Sequence, residues 1–94
     1  DSGVCGRVAE AVGRKLKELA RRQQVLCVTH QPQEASLADL HFLVEKTTDG
    51  ATTAVSIRRL DEDEQVAELA RMLAGEKVSD TARHHAREML KAAR

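Results

Sequence analysis

Three places in this chain carry side chains able to do chemistry. The first is His30, which ends the run Val25-Leu26-Cys27-Val28-Thr29. A neutral imidazole fixed at a strand end can donate a hydrogen bond to a phosphate oxygen or orient a water. In open α/β sheets, ligands sit beyond the carboxyl ends of parallel strands, and Thr29-His30 occupies that position. A histidine at a strand end is also an ordinary surface residue, and position alone leaves both readings open. The second place is Asp1-Ser2-Gly3-Val4-Cys5-Gly6. Two glycines ahead of a helix allow a tight turn near an anion-binding helix N-terminus, although a plain loop-to-helix junction has the same composition. The third is the basic set Arg58, Arg59, Arg83, Arg87, Lys91 and Arg94, which could touch a phosphate backbone. Acids interleave with these bases and aromatic stacking platforms are missing, which favours a solvated, charge-mixed face.

Other chemistries find little support. His84 and His85 are adjacent, so on a helix they point about 100° apart and do not easily share a metal. His30 and His41 lack a ligand spacing, and no metal site is expected. The nucleophile elbow G-x-S-x-G is absent. So is GxxxxGK[ST], and the chain cannot cradle ATP phosphates by itself in that manner.

The elements that position these residues follow from periodicity. From Val4 to about Gln23 the pattern is helical, with Val8, Val12, Leu16, Leu19 and Ala20 on one face. Gly13 inside that helix costs roughly 1 kcal/mol against Ala, so close packing would favour it. Val25 to Thr29 is short, apolar on both faces and rich in β-branched residues, as in a strand buried in a parallel sheet. Helix and strand together look like half of a βαβ unit whose first strand lies before Asp1. Pro32 starts a short helix running to about Ala38. His41 to Thr47 and Thr53 to Leu60 read as strands, joined through the Asp49-Gly50 turn signal. Asp61 caps a helix with Glu64 three residues on, and Val66, Leu69, Ala70 and Leu73 form its stripe before Gly75 stops it. Ser79 caps a last helix bearing Ala82, Ala86, Met89, Leu90 and Ala93 on one side.

Composition bounds the rest. The 94 residues contain 15 Lys+Arg and 15 Asp+Glu, a formal net charge of zero. That balance disfavours a strongly basic nucleic-acid binder. Hydrophobic residues are 41% and charged residues 32%, which suits a folded chain. No apolar run approaches the ~18 residues of a membrane span. The opening Asp-Ser-Gly has no initiator Met and no signal peptide. Phe42 is the only aromatic residue, and so short a chain buries only about 60–65% of its unfolded surface. These features predict a fragment whose core is completed by residues outside it, and the open edge of a lone strand argues against independent folding. Cys5 and Cys27 lack CxxC spacing and are expected to be reduced, partly buried thiols of a cytosolic protein.

The residues also resemble a known family. Val25-Leu26-Cys27-Val28-Thr29-His30-Gln31-Pro32-Gln33, then Ala38-Asp39, His41-Phe42 and Lys46-Thr47, are similar to the end of the RecN family of DNA repair proteins. Arg59-Leu60-Asp61-Glu62, Val66 to Leu73, and Ala86-Arg87-Glu88-Met89-Leu90 continue the likeness, which covers nearly all of the chain. The resemblance implies an α/β fold: residues 1–94 as the C-terminal lobe of a P-loop, ABC-type ATPase head of the SMC-like class, just after the Walker B strand. Such a head is split between the two ends of a longer chain with a coiled coil between. It implies a bacterial, cytoplasmic, nucleoid-associated protein of double-strand break repair and recombination. Residues 1–6 would be the D-loop, with Asp1 its acid and Ser2 and Gly3 beside it at the dimer interface. Cys5 departs from the Ser or Gly common there. His30 would be the switch histidine of the H-loop, in contact with the γ-phosphate.

ATP and Mg²⁺ would bind the complete protein and not this chain alone. The Walker A Lys, the Walker B Asp, the general-base Glu and the signature motif all lie outside it, so alone it is expected to be inactive. Implied partners are the N-terminal half of the same head, a second copy joined through ATP, and DNA; a membrane is not among them. Two other readings stay open. One is a non-catalytic α/β interaction module whose charged helices dock a partner protein. The other is direct DNA binding by Arg83, Arg87, Lys91 and Arg94.

Overall fold

Local signals set most element ends. A computed structural model describes residues 2–94, in the order α1 (Ser2–Leu19), α2 (Pro32–Ala35), β1 (Phe42–Asp49), β2 (Thr52–Arg59), α3 (Glu62–Ala74) and α4 (Asp80–Ala93). Asp61 and Glu64 form the expected capping box: the Glu64 amide donates to Asp61 Oδ1 at 2.8 Å, and the Asp61 amide donates to Glu64 Oε1 at 3.0 Å. Each bond satisfies an N-terminal amide that the helix leaves without a partner. At the other end Gly75 takes φ 78°, and its amide donates to the Arg71 carbonyl at 2.7 Å. Ser79 caps α4 by accepting from the Ala82 amide at 3.1 Å. Pro32 is the first residue of α2, and hydrogen-bonded turns carry on from Ala35 to Ala38.

β1 and β2 form a two-stranded antiparallel sheet in which Asp49 pairs with Thr52 and Val44 with Ile57. Gly50 has φ 59° at the first of the two loop residues, the backbone a tight hairpin of type II′ needs. Both faces of the hairpin are open. Leu43 is half-buried, while Phe42, Val44, Val55 and Ile57 share the opposite face and are exposed.

The core lies where α2, α3 and α4 meet. Leu69, Ala70 and Ala86 are fully buried, with Ala35 and Ala82 beside them and Val66, Leu73 and Leu90 packed around. The α3 and α4 stripes read from the sequence are therefore the faces that pack. Burial of a Leu side chain stabilises by roughly 1.5–3 kcal/mol, so Leu69 is a main anchor of a core otherwise rich in alanine.

Three expectations are corrected. Residues 24–29 form no strand. A buried parallel strand needs neighbours along its edges and cover on both faces. Among the described residues the two strands present pair with each other, and Leu26 and Val28 are 91% and 94% exposed. The fold is thus mixed helix and strand with an antiparallel pair, and no parallel core strand lies among the described residues. Second, α1 packs along one edge of the expected stripe. Leu16 and Ala20 are half-buried on the face of the buried Ala9 and Gly13, with Gly6 half-buried, while Val8, Val12 and Leu19 are exposed. Small residues let α2 approach closely there, so the valine stripe turns outward. Third, both cysteines are exposed rather than partly buried, because neither the 24–29 segment nor the Cys5 side of α1 is covered.

Candidate functional site

His30 is exposed and follows directly on the uncovered segment. A turn fixes the backbone around it: the Gln31 amide donates to Thr29 Oγ1 at 2.9 Å. The His30 Nε2 atom lies 3.4 Å from the Gln31 side-chain nitrogen, a weak contact whose direction depends on the tautomer. Pro32 then starts α2, and its buried ring pins the loop to the body of the fold. Two residues before the turn, Cys27 Sγ donates to Glu34 Oε2 at 3.6 Å. Partial desolvation first, and the Glu34 carboxylate second, push that thiol above its usual range. A thiol so held is a poor nucleophile.

The other predicted site residues start α1. The helix begins at Ser2, earlier than the sequence pattern placed it, so Gly3 and Gly6 lie in its first turns and not in a loop before it. Glycine weakens a helix without forbidding it. Asp1 lies outside the described residues. The first turns of α1 lie against Gln33 of α2, just after the His30 loop: a Cβ added at Gly6 would lie 3.0 Å from Gln33 Nε2. Gln33 was not among the residues the sequence singled out for chemistry. Its signal was the face Gly6, Ala9 and Gly13, a line of small residues on one side of a helix.

Of the basic candidates, Arg58, Lys91 and Arg94 are held in ion pairs. Arg58 donates to Glu45 at 3.3 Å and also contacts Glu64. Arg94 meets Glu62 at 3.0 Å, and Lys91 lies 3.8 Å from Glu88. These counter-ions neutralise half of the basic set and add little stability, since exposed pairs are screened by solvent. His41 is half-buried where β1 begins, and burial lowers its pKa while nearby Glu68 opposes the shift. Glu68 is itself buried on α3 and accepts from Arg71 Nε at 2.7 Å. Among the described residues no three His, Cys, Asp or Glu side chains come close enough to hold a metal ion. A cleft of about 210 Å³ lies between α1, α2 and α4, lined by Gln33, His85 and Met89 among others, and His30 is not in its wall.

No family model matches the chain. Its sequence is nevertheless 52% identical over 94 residues to the DNA repair protein RecN of Streptomyces coelicolor, which is 100% of this chain. The chain matches the C-terminal part of RecN. Identity to the RecN of Mycobacterium leprae is 54% over 94 residues, and to that of Bacillus subtilis 43% over 93 residues, 99% of this chain. The chain spans 16% of the length of these RecN relatives. The match covers both parts of the candidate site, α1 and the His30 loop. Among the described residues no helix is long and apolar enough to cross a membrane.

Proposed function

We propose that this chain works as the C-terminal part of a RecN-like ATPase head in DNA repair. The observation that carries the reading is the match to RecN along the whole chain, at 43–54% identity in the three relatives described above. The surface supports it. Leu26 and Val28, the outward valines of α1 and the apolar hairpin face are all exposed, a distribution that a soluble domain seldom keeps uncovered. The N-terminal half of the same head would cover them, and the 24–29 segment would then become the parallel strand its composition fits.

His30 is the residue assigned to chemistry. Its ring is exposed on a short loop whose backbone the Thr29–Gln31 turn holds, within which a ring N–H suits one oxygen of a γ-phosphate. Phosphoryl transfer needs charge stabilisation and positioning more than covalent help, and a single directed donor fits that need. ATP with Mg²⁺, held by motifs outside this chain, would supply the transferred phosphoryl group. Residues 1–3 would meet a second copy across the nucleotide. DNA would be bound by the complete, cytoplasmic bacterial protein.

The test is His30→Ala in the full-length protein that carries this chain. ATP turnover is expected to fall about 10- to 1,000-fold, the loss seen when one transition-state donor is removed. Unchanged turnover refutes the role.

A further inference from the structure

The Gln33 backbone carbonyl accepts from Ser36 Oγ at 3.2 Å, whereas its side-chain Oε1 is buried with no hydrogen-bond partner among the described residues. Burying an unpaired amide oxygen is unfavourable, so the side chain must be held there by its packing. That packing is against α1. A Cβ added at Gly6 would lie 3.0 Å from Gln33 Nε2 and 3.6 Å from its Cδ, so a larger residue there would press on the amide and displace it by a few tenths of an ångström. Two turns on, a Cβ at Gly13 would lie 2.7 Å from Leu37 Cδ1 and 3.3 Å from Glu34 Cα. Lys17 closes the same seam by donating to the Leu37 carbonyl at 2.9 Å. Helices α1 and α2 are therefore closely packed along this seam. His30 lies inside the Thr29–Gln31 turn, and only the buried Pro32 separates that turn from Gln33.

We propose that Gln33 is a positioning residue: it couples the first turns of α1 to the loop that aims His30. The inference rests on the reading of His30 as a phosphate contact. A functional side chain needs placement within about 0.5 Å, and an exposed histidine cannot reach that by itself. The Gln33 amide supplies the placement from the neighbouring helix. Displacement at the start of α1, where the same reading puts a second copy, shifts Gln33 and with it His30.

The experiment measures ATP turnover by the full-length protein carrying Gln33→Ala, Gly6→Ala, His30→Ala and the His30→Ala/Gln33→Ala pair. Gln33→Ala is expected to lower kcat about tenfold or more, with KM for ATP little changed, since misplacement by an ångström is that costly. Gly6→Ala pushes the amide away and should act in the same direction. In the His30→Ala background, loss of Gln33 should have no further effect, because the amide works only through the imidazole. A purely structural Gln33 would lower turnover in both backgrounds, and that result overturns the proposal. Wild-type kcat in Gln33→Ala beside impaired His30→Ala also overturns it while leaving the role of His30 intact. Unchanged turnover in His30→Ala overturns the function on which it rests. Should Gln33→Ala unfold the protein, Gln33→Met keeps the length, removes the amide, and is read against the same outcomes.

Discussion

Replacing Gly13 with alanine sets two effects against each other. Alanine is the better helix former by about 1 kcal/mol, so on propensity alone the variant would be more stable. Packing opposes this. The new Cβ would lie 2.7 Å from Leu37 Cδ1, closer than carbon atoms tolerate, and 3.3 Å from Glu34 Cα. Leu37 is only 5% exposed, so its methyl cannot swing into solvent, and the Glu34 contact is backbone. Overpacking of this kind costs about 1–3 kcal/mol, which outweighs the propensity gain in most of its range. The expected net is a loss of about 1 kcal/mol, or about 4–8 °C in Tm for a chain of this size. Thermal unfolding of the 94-residue chain, followed by far-UV circular dichroism, reads that shift directly. Gly13→Val adds two methyls and should lower Tm further. A Tm raised in Gly13→Ala would refute the reasoning, for it would mean that α1 and α2 do not touch as described.

Two other outcomes follow from burial. The fold holds His41 below its ordinary value near 6.5, mainly by burial, so the unfolded chain takes up the proton first. Stability is then complete above that value and falls as the pH drops through it towards the folded pKa; urea midpoints at about pH 8 and about pH 5 should show the fall in wild type and a smaller one in His41→Gln. Val28 is 94% exposed, so Val28→Asp should change the stability of the 94-residue chain by less than about 0.5 kcal/mol. The same substitution should sharply lower the soluble yield and Tm of the full-length protein, where we propose that Val28 is buried; tolerance there would refute the burial.

Elements whose ends are set by their own side chains were legible in the sequence. The Asp61–Glu64 box, the Ser79 cap, the Gly75 stop and the Asp49-Gly50 turn are each a bargain struck within a few residues. The stripe on α3 was legible for the same reason, because α4 follows at once and covers it. Elements that depend on distant neighbours were read less well. Val25 to Thr29 has the composition of a core strand, yet composition states only what cover a segment needs. Whether the cover is there depends on other strands, and among the described residues none lies beside it. The valine line on α1 misled in the same way: Val8 and Val12 mark an outward face, while Ala9 and Gly13 mark the face that packs.

That second misreading bears on the site. A search for chemistry picks out imidazoles, thiols and charged groups, and it found His30 from its place at the end of an apolar run. It passes over a glutamine flanked by a proline and a glutamate. Gln33 acquires meaning only when Gly6, 27 residues earlier, turns out to face it across a helix seam. The link is one of shape: a missing Cβ on one helix and an amide that fills the space on the other. Such a link leaves two faint marks far apart in the sequence, a glycine and a neutral polar residue, and neither suggests the other. The residues that do chemistry can be found by type, whereas those that place them have to be found by contact. In this chain the two kinds lie three positions apart, at His30 and Gln33, and the structure ties the second to the helix whose first turns we assign to the subunit interface.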